Sequence, residues 1–308
     1  MGIPAVPPPP APPTIPAPLT GDPVLDGEAS VRGLVMSPYA ARGPVRLLRF
    51  NPYGVRAVRE TDEDKPGMHG SYTGPDYLPS LQIPMSLRVS VGSMAGAVAL
   101  LTQVVDAFAP LAGADDETTP LLWRMDGRLW LRWVKPRLLD PDTSRIGAGA
   151  WTADGGVTAP DPLYYLAEPV NAPTLSLAAP DGVPVPLDVP VVLPPRTGID
   201  TATITNEGTQ PAPLLLTLRG PGRGLGAQID GTAIWWDLEL ADGDVLLVDT
   251  DAGTALLNGS AYRAPAPGSA VTSLFRLPRG AHTLRMLGTP TTTARPPTLD
   301  VQWRHTYL

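Results

Sequence analysis

LQIPMSLRVSV, residues 81–91, sets apolar side chains at 81, 83, 85, 87, 89 and 91, alternating with Gln, Pro, Ser and Arg. Alternation of this kind marks a strand with one buried face, because successive side chains of an extended chain point to opposite sides. The next stretch changes period. Ser93 stands where a helix N-cap belongs, and Met94, Val98, Leu101, Val105 and Phe108 recur at spacings of four and three. A serine hydroxyl accepts from an orphan amide at a helix start, and Pro110 cannot continue the helix. The N-terminal half is therefore expected to hold one helix lying on a sheet by the face that carries these five side chains.

Working outward, VRGLVM and VRLLRF lie between Ser30 and Arg59, broken by Pro38, Pro44 and Pro52, and read as short strands joined by turns. Glu60–Pro66 is a charged loop, and the acidic run Asp115, Asp116, Glu117 opens the loop after the helix. LLWRMDGRLWLRWVKPRLL, residues 121–139, sets two apolar runs about Asp126-Gly127, a dipeptide suited to a tight hairpin turn. Trp123, Trp130 and Trp133 fall inside these strands and read as packing residues. Residues 1–20 carry prolines at 4, 7–10, 12, 13, 16 and 18. Such a segment reads as an extended polyproline arm lying along a neighbouring subunit, with an SH3-type ligand as its rival reading.

After a loop rich in Pro, Asp and Gly and a strand at 163–170, the character changes. From Pro173 short runs recur at 175–177, 189–193, 202–205, 214–219, 233–238, 245–250, 255–257, 273–277, 283–287 and 300–305. Turn residues separate them at the intervals of a β-sandwich. The chain reads as mainly β, with an arm over 1–20, an N-terminal domain over 21–171 and a sandwich domain over 172–308.

Composition sets outer limits. Of 308 residues, 43% are hydrophobic and 17% charged, enough to build cores; Gly numbers 31 and Pro 40, which suits many short strands. With Cys at 0 there are no disulfides, thiol nucleophiles or thiolate zinc sites, and no cofactor is expected. A net charge of −7 argues against a specific nucleic-acid partner. The uncharged stretch near 89–105 is diluted by Ser, Gly and Gln, so no membrane span is read there. The first residues lack the basic start and continuous apolar core of a secretory signal.

Few motifs point to chemistry. GPGRGLG, 220–226, resembles a phosphate loop, but no helix pattern follows, and it reads as a turn. ADGDVLLVDTD gathers Asp242, Asp244, Asp249 and Asp251, a set that could bind calcium or form an acid/base pair. They flank the two ends of one strand instead of converging, so turn and cap roles are the first reading. Trp235 and Trp236 are adjacent in a strand and face opposite sides of the sheet, so one is expected in the core. The other is a candidate platform for a sugar or a subunit interface.

The order of elements in the C-terminal half carries a resemblance. TITNEGTQPAPLLLTLRGPG (203–222) precedes GDVLLVDTDAGTALLNG (243–259), SLFRLPRGAHTLRM (273–286) and a final LDVQWRHTYL. This series is similar to the C-terminal domain of siphovirus distal tail proteins, the Dit-like minor tail proteins of phage baseplates. RLWLRWVKPRLLD, APDPLYY at 159–165 and HGSYTGPDYLPSLQIPMSL at 69–87 fit the same family. The resemblance spans roughly residues 30–308.

What it implies is a ring-forming N-terminal β-sheet domain with one helix and a galectin-like C-terminal sandwich. Family members form a homo-oligomeric, usually hexameric, ring at the distal end of the tail in the virion, and are made in the bacterial host cytoplasm. Their partners are the tail tube protein, the tail-tip hub and receptor-binding proteins, and no catalytic residues carry over. On this reading Leu81, Ile83, Met85, Leu87 and Val89 are candidates for the ring interface, through strand pairing across subunits. Asp62, Glu63, Asp115 and Asp116 are candidates for the lumen, where negative charge keeps DNA from sticking. The alternatives are a carbohydrate-binding module using Trp235 or Trp236 on host saccharide, and a glycan hydrolase using carboxylates of 242–251.

Overall fold

The computed structural model describes residues 25–53, 59–75, 77–109, 118–177, 199–292 and 295–308. The proline-rich arm, Asp115, Asp116 and the strand expected at 189–193 lie outside these residues. The chain divides into two compact units, the first over Thr20–Ala167 and the second over Glu168–Tyr307.

The first unit holds β1 (Ala29–Val31), β2 (Leu34–Met36), β3 (Val45–Phe50), β4 (Glu63–Asp64), β5 (Ser71–Tyr72) and β6 (Leu81–Ser90). The helix α1 (Met94–Phe108), then β7 (Thr119–Met125), β8 (Arg128–Asp142), β9 (Ala150–Ala159) and β10 (Tyr164–Leu166) follow. The sheet runs β2-β1-β7-β8-β9-β6-β3, with β10 added beside β8 and a separate β4–β5 hairpin. Ser37 donates to the Val45 carbonyl at 3.2 Å and accepts from the Leu47 amide at 2.9 Å, so the sheet curls until its two ends touch. The turn between β7 and β8 uses left-handed backbone at Asp126 (φ 54°) and Gly127 (φ 68°), the conformation for which the Asp-Gly pair is suited. The 15-residue β8 serves two sets of neighbours. Its first half lies between β7 and β10, and from Lys135 its second half pairs with β9 through a bulge between Pro136 and Leu138.

Ser93 caps α1 as its position suggests, accepting from the Gly96 amide at 3.2 Å. The face it buries differs from the expected one. Ala97, Val104, Ala107 and Phe108 are buried, whereas Met94, Val98 and Val105 are exposed. Small alanines let the helix backbone approach the sheet, and the buried Trp151 indole reaches it to donate to the Ala97 carbonyl at 3.0 Å. Both stripes share Leu101 and Phe108, so periodicity alone does not choose between them.

The second unit is a pair of sheets over one core. Its strands are β11 (Val170–Asn171), β12 (Leu175–Ser176), β13 (Thr201–Asn206), β14 (Leu214–Arg219), β15 (Gly222–Ile229) and β16 (Thr232–Trp235). Then come β17 (Glu239–Leu240), β18 (Val245–Asp249), β19 (Thr254–Leu257), β20 (Ala261–Tyr262), β21 (Gly280–Pro290) and β22 (Thr298–Trp303). One sheet runs β11-β22-β14-β18-β19-β20 with β12 on β22, and the other β13-β21-β15-β16 with β17 on β15. Leu214, Leu216 and Leu218 alternate into the core, where they join Ile204, Ala227, Ile234, Leu284 and Met286.

GPGRGLG is not a turn. Most of it is the start of β15, with a bulge between Arg223 and Gly226. Glycine is required at 226 because a Cβ there would run into the Ile234 carbonyl of the neighbouring strand.

Candidate functional site

The proposed ring-interface residues occupy the inside of the first unit. Leu81, Ile83, Met85, Leu87 and Val89 are 0–3% exposed, and β6 has β3 on one border and β9 on the other. Over Met85–Val89, where both neighbours are paired, the strand has no backbone groups to offer another subunit. These five residues are core, and any contact between copies must use other side chains. Asp62 and Glu63 are exposed at the β4–β5 hairpin, and Asp62 Oδ1 accepts from the Gly74 amide at 3.0 Å.

The two tryptophans part as adjacent strand residues must. Trp236 is 1% exposed and donates its indole N–H to the Arg263 carbonyl at 3.1 Å, which removes it as a surface contact. Trp235 is half-buried, and the segment after it closes the β16 border through Ala266 N–H to the Trp235 carbonyl and Ala270 N–H to the Ala233 carbonyl, both 2.8 Å.

The polar motifs of the C-terminal half fasten loops to strands. Asn206 is fully buried; its amide donates to the carbonyls of Gln210 (2.8 Å) and Leu277 (3.2 Å) and its oxygen accepts from the Gly208 amide (2.9 Å). Asn206→Ala leaves those groups without that side chain, and a loss of about 2 kcal/mol in unfolding free energy is expected from a denaturant melt. Asp244 accepts from the Asn258 side chain and the Ala241 amide, both at 2.9 Å, so the Gly-Asp and Asn-Gly motifs lock one another. These bonds, the Asn258 one foremost, hold the Asp244 carboxyl below its ordinary pKa. Asp249 caps the amides of Asp251 and Ala252, while Asp242 pairs with Arg295 and Asp251 with Arg276. The aspartates of 242–251 are thus divided among separate partners.

His282 Nδ1 lies 2.6 Å from Asp230 Oδ2 and Nε2 3.1 Å from the Arg279 carbonyl. The bond to Asp230, helped by the Arg279 carbonyl and opposed by partial burial, raises the His282 pKa above 6.5. Asp230 is lowered by His282 first and by the Thr283 amide. A histidine raised on folding gives stability that is full below its unfolded value and fades as pH climbs through the folded one. A depressed aspartate gives stability that fades as pH falls through its folded value. The pair is therefore expected to help most in mildly acidic solution. NMR titration should place the His282 midpoint above 6.5, and Asp230→Asn should lower it.

One cluster carries no signature recognised at the sequence level. Arg132 on β8 is fully buried and donates to the carbonyls of Pro52 (2.6 Å), Pro162 (2.9 Å) and Leu163 (3.2 Å). Its guanidinium sits 5.1 Å from the Tyr164 ring and 6.0 Å from that of Trp123. Trp130 stacks at 6.5 Å on Trp123 and meets Tyr164 edge-on at 5.4 Å. The cluster pins the segments after β3 and before β10 onto β8. The available clue was alternation, since Arg132 shares a strand face with Trp130 and Val134.

No protein-family model matches the chain, and no curated protein matches it. Among solved structures, the Dit protein of phage SPP1 is similar over 91% of this chain and 99% of its own, with a TM-score of 0.57 at 10% identity. A chain of the phage P2 baseplate in its activated conformation with Ca matches at TM-score 0.49 and 11% identity, over 85% of this chain and 91% of that one. A chain of the corresponding structure with Sr matches at 0.46 and 12%, over 89% and 96%. At 91% coverage the likeness to the SPP1 protein takes in parts of both units, and the chain has the β-rich fold of that phage Dit protein.

Proposed function

We propose that this chain is a structural protein of a bacteriophage tail tip, whose copies close a ring at the distal end of the tail. The observation that carries the reading is the likeness to SPP1 Dit across nearly the whole of both chains, 91% of this one and 99% of the other. That protein is described as a paradigm of the hub adsorption apparatus in phages that infect Gram-positive bacteria. The polar clusters support a mechanical role, because Asn206, Asp244, Asp249 and Arg132 spend their hydrogen bonds on holding backbone.

On this reading the ring continues the tail tube, seats the tip hub and offers its rim to receptor-binding proteins. It works without catalysis, in the virion, after synthesis in the host cytoplasm. On the same reading the acids at 62 and 63 face the lumen; a six-fold density map with them on the outer wall removes that part of the proposal. A closed ring needs a heterologous contact, one patch meeting a different patch on the next copy. Light scattering and negative-stain imaging of the purified chain test the reading. A particle of several copies with a central hole is expected, and a chain that stays monomeric alone and with tail tubes overturns it.

A further inference from the structure

Outward side chains of β3, β6, β9 and the second half of β8 fall into rows set by strand register. One row is Arg46, Arg88, Thr152, Asp142, and the next is Arg49, Ser86, Asp154, Asp140. The β3–β6 side is basic and the β9–β8 side acidic. Arg49, Arg88, Asp140, Asp142 and Asp154 are exposed, and Arg46 is half-buried.

Two like-charge pairs stand directly opposite one another across strands: Arg46 with Arg88, and Asp140 with Asp154. Such pairs disfavour the isolated fold. Within the chain the two halves are not joined: Arg49 and Asp140 are three strand spacings of about 4.8 Å, roughly 14 Å, apart, and Arg88 and Asp154, diagonal neighbours on β6 and β9, form no ion pair. Among the described residues Arg49, Arg88, Asp140 and Asp154 enter no ion pair. Arg46 Nη2 donates to the Pro38 carbonyl at 3.3 Å, while its buried Nε has no partner. Asp154 accepts from the Ser86 hydroxyl at 2.6 Å, and Asp142 accepts from the Ser144 amide at 2.9 Å and lies near Arg145. Lys135 and Arg137 sit further back on β8, so the acidic side is confined to the end of the strand.

We propose that this sheet face is a head-to-tail contact between copies of the chain, the Arg46–Arg49–Arg88 side of one meeting the Asp140–Asp154 side of the next. Charge complementarity selects a second copy as the occupant, because each half lacks what the other half of the same face carries. The basic and acidic halves are different patches of one face, so their meeting is a heterologous contact, the kind that closes into a ring. The inference rests on the ring reading and names its contact.

The test uses full-length chains with Arg88→Glu, with Asp140→Arg, and with both changes together. Each single change converts a like-charge pair into an opposite one within the monomer, so melting temperature is expected to hold or rise. Assembly, followed by light scattering against concentration, is expected to weaken about tenfold or more in each single variant, as for other close charge pairs at interfaces. The double variant restores it, since the reversed charges again match across copies. Single variants that assemble as the wild type does, or a double variant weaker than either single, overturn this contact and leave the ring standing. A wild-type chain that never assembles overturns both.

Discussion

Replacing Arg132 by methionine is expected to destabilise the first unit by about 3 kcal/mol or more, at nearly constant side-chain volume. Methionine replaces the apolar stem, so the loss comes from the hydrogen bonds of the guanidinium and from its place beside the Trp123 and Tyr164 rings. The carbonyls of Pro52, Pro162 and Leu163 would lose the donor that satisfies them. A buried acceptor without a partner costs about 1–3 kcal/mol, and the segments that carry these carbonyls are held to β8 by this side chain. Arg132→Lys should recover only part of the loss, because a single ammonium cannot reproduce the spread of a planar guanidinium. Denaturant unfolding of the three proteins checks the order wild type, lysine, methionine. Equal stability of the methionine variant would mean that the loops do not depend on Arg132.

The second large effect separates the adjacent tryptophans. Trp236→Ala is expected to cost about 3–5 kcal/mol, the usual loss when a large aromatic is deleted from a packed core. Trp236 lies among Ile234, Leu225, Leu240 and Phe275 in the core of the second unit and anchors the Arg263 carbonyl. Trp235→Ala, on the half-buried side, should change stability by less than about 1 kcal/mol. Calorimetry of both variants decides, and a glycan array on Trp235→Ala and wild type addresses the saccharide alternative in the same material. If Trp235→Ala proved the more damaging, the assignment of faces at the end of β16 and at the residue after it would be wrong.

Much of the fold was legible in the sequence where one local rule acts alone. The alternation of 81–91 gives β6 and its buried face, Asp126-Gly127 gives the turn before β8, and Ser93 gives the start of α1. Legibility failed where a second partner decides. Periodicity tells which way a side chain points but not which strands lie alongside, so β6 looked like a border and is flanked on both sides over Met85–Val89. The helix is apolar around most of its circumference, and Trp151 beneath it settles which stripe is buried. Glycines of 220–226 looked like a turn because a strand that tolerates only glycine beside Ile234 leaves no apolar pattern. The motifs behind the family resemblance turned out to fasten loops, as the mutual bonds of Asp244 and Asn258 illustrate. The charged face needed register, since Arg46 and Arg88 are opposite each other only once β3 and β6 are paired.

The long strand β8 has a mechanical consequence. Its hydrogen bonds to β7, β9 and β10 run across the strand, so tension along its axis loads all three ladders in shear. Shear sets many bonds in parallel, whereas peeling breaks them one after another. Pulled through its ends, β8 acts as a tie rod for the first unit: force entering beside the Asp126-Gly127 turn is shared among its neighbours before any one of them can give way.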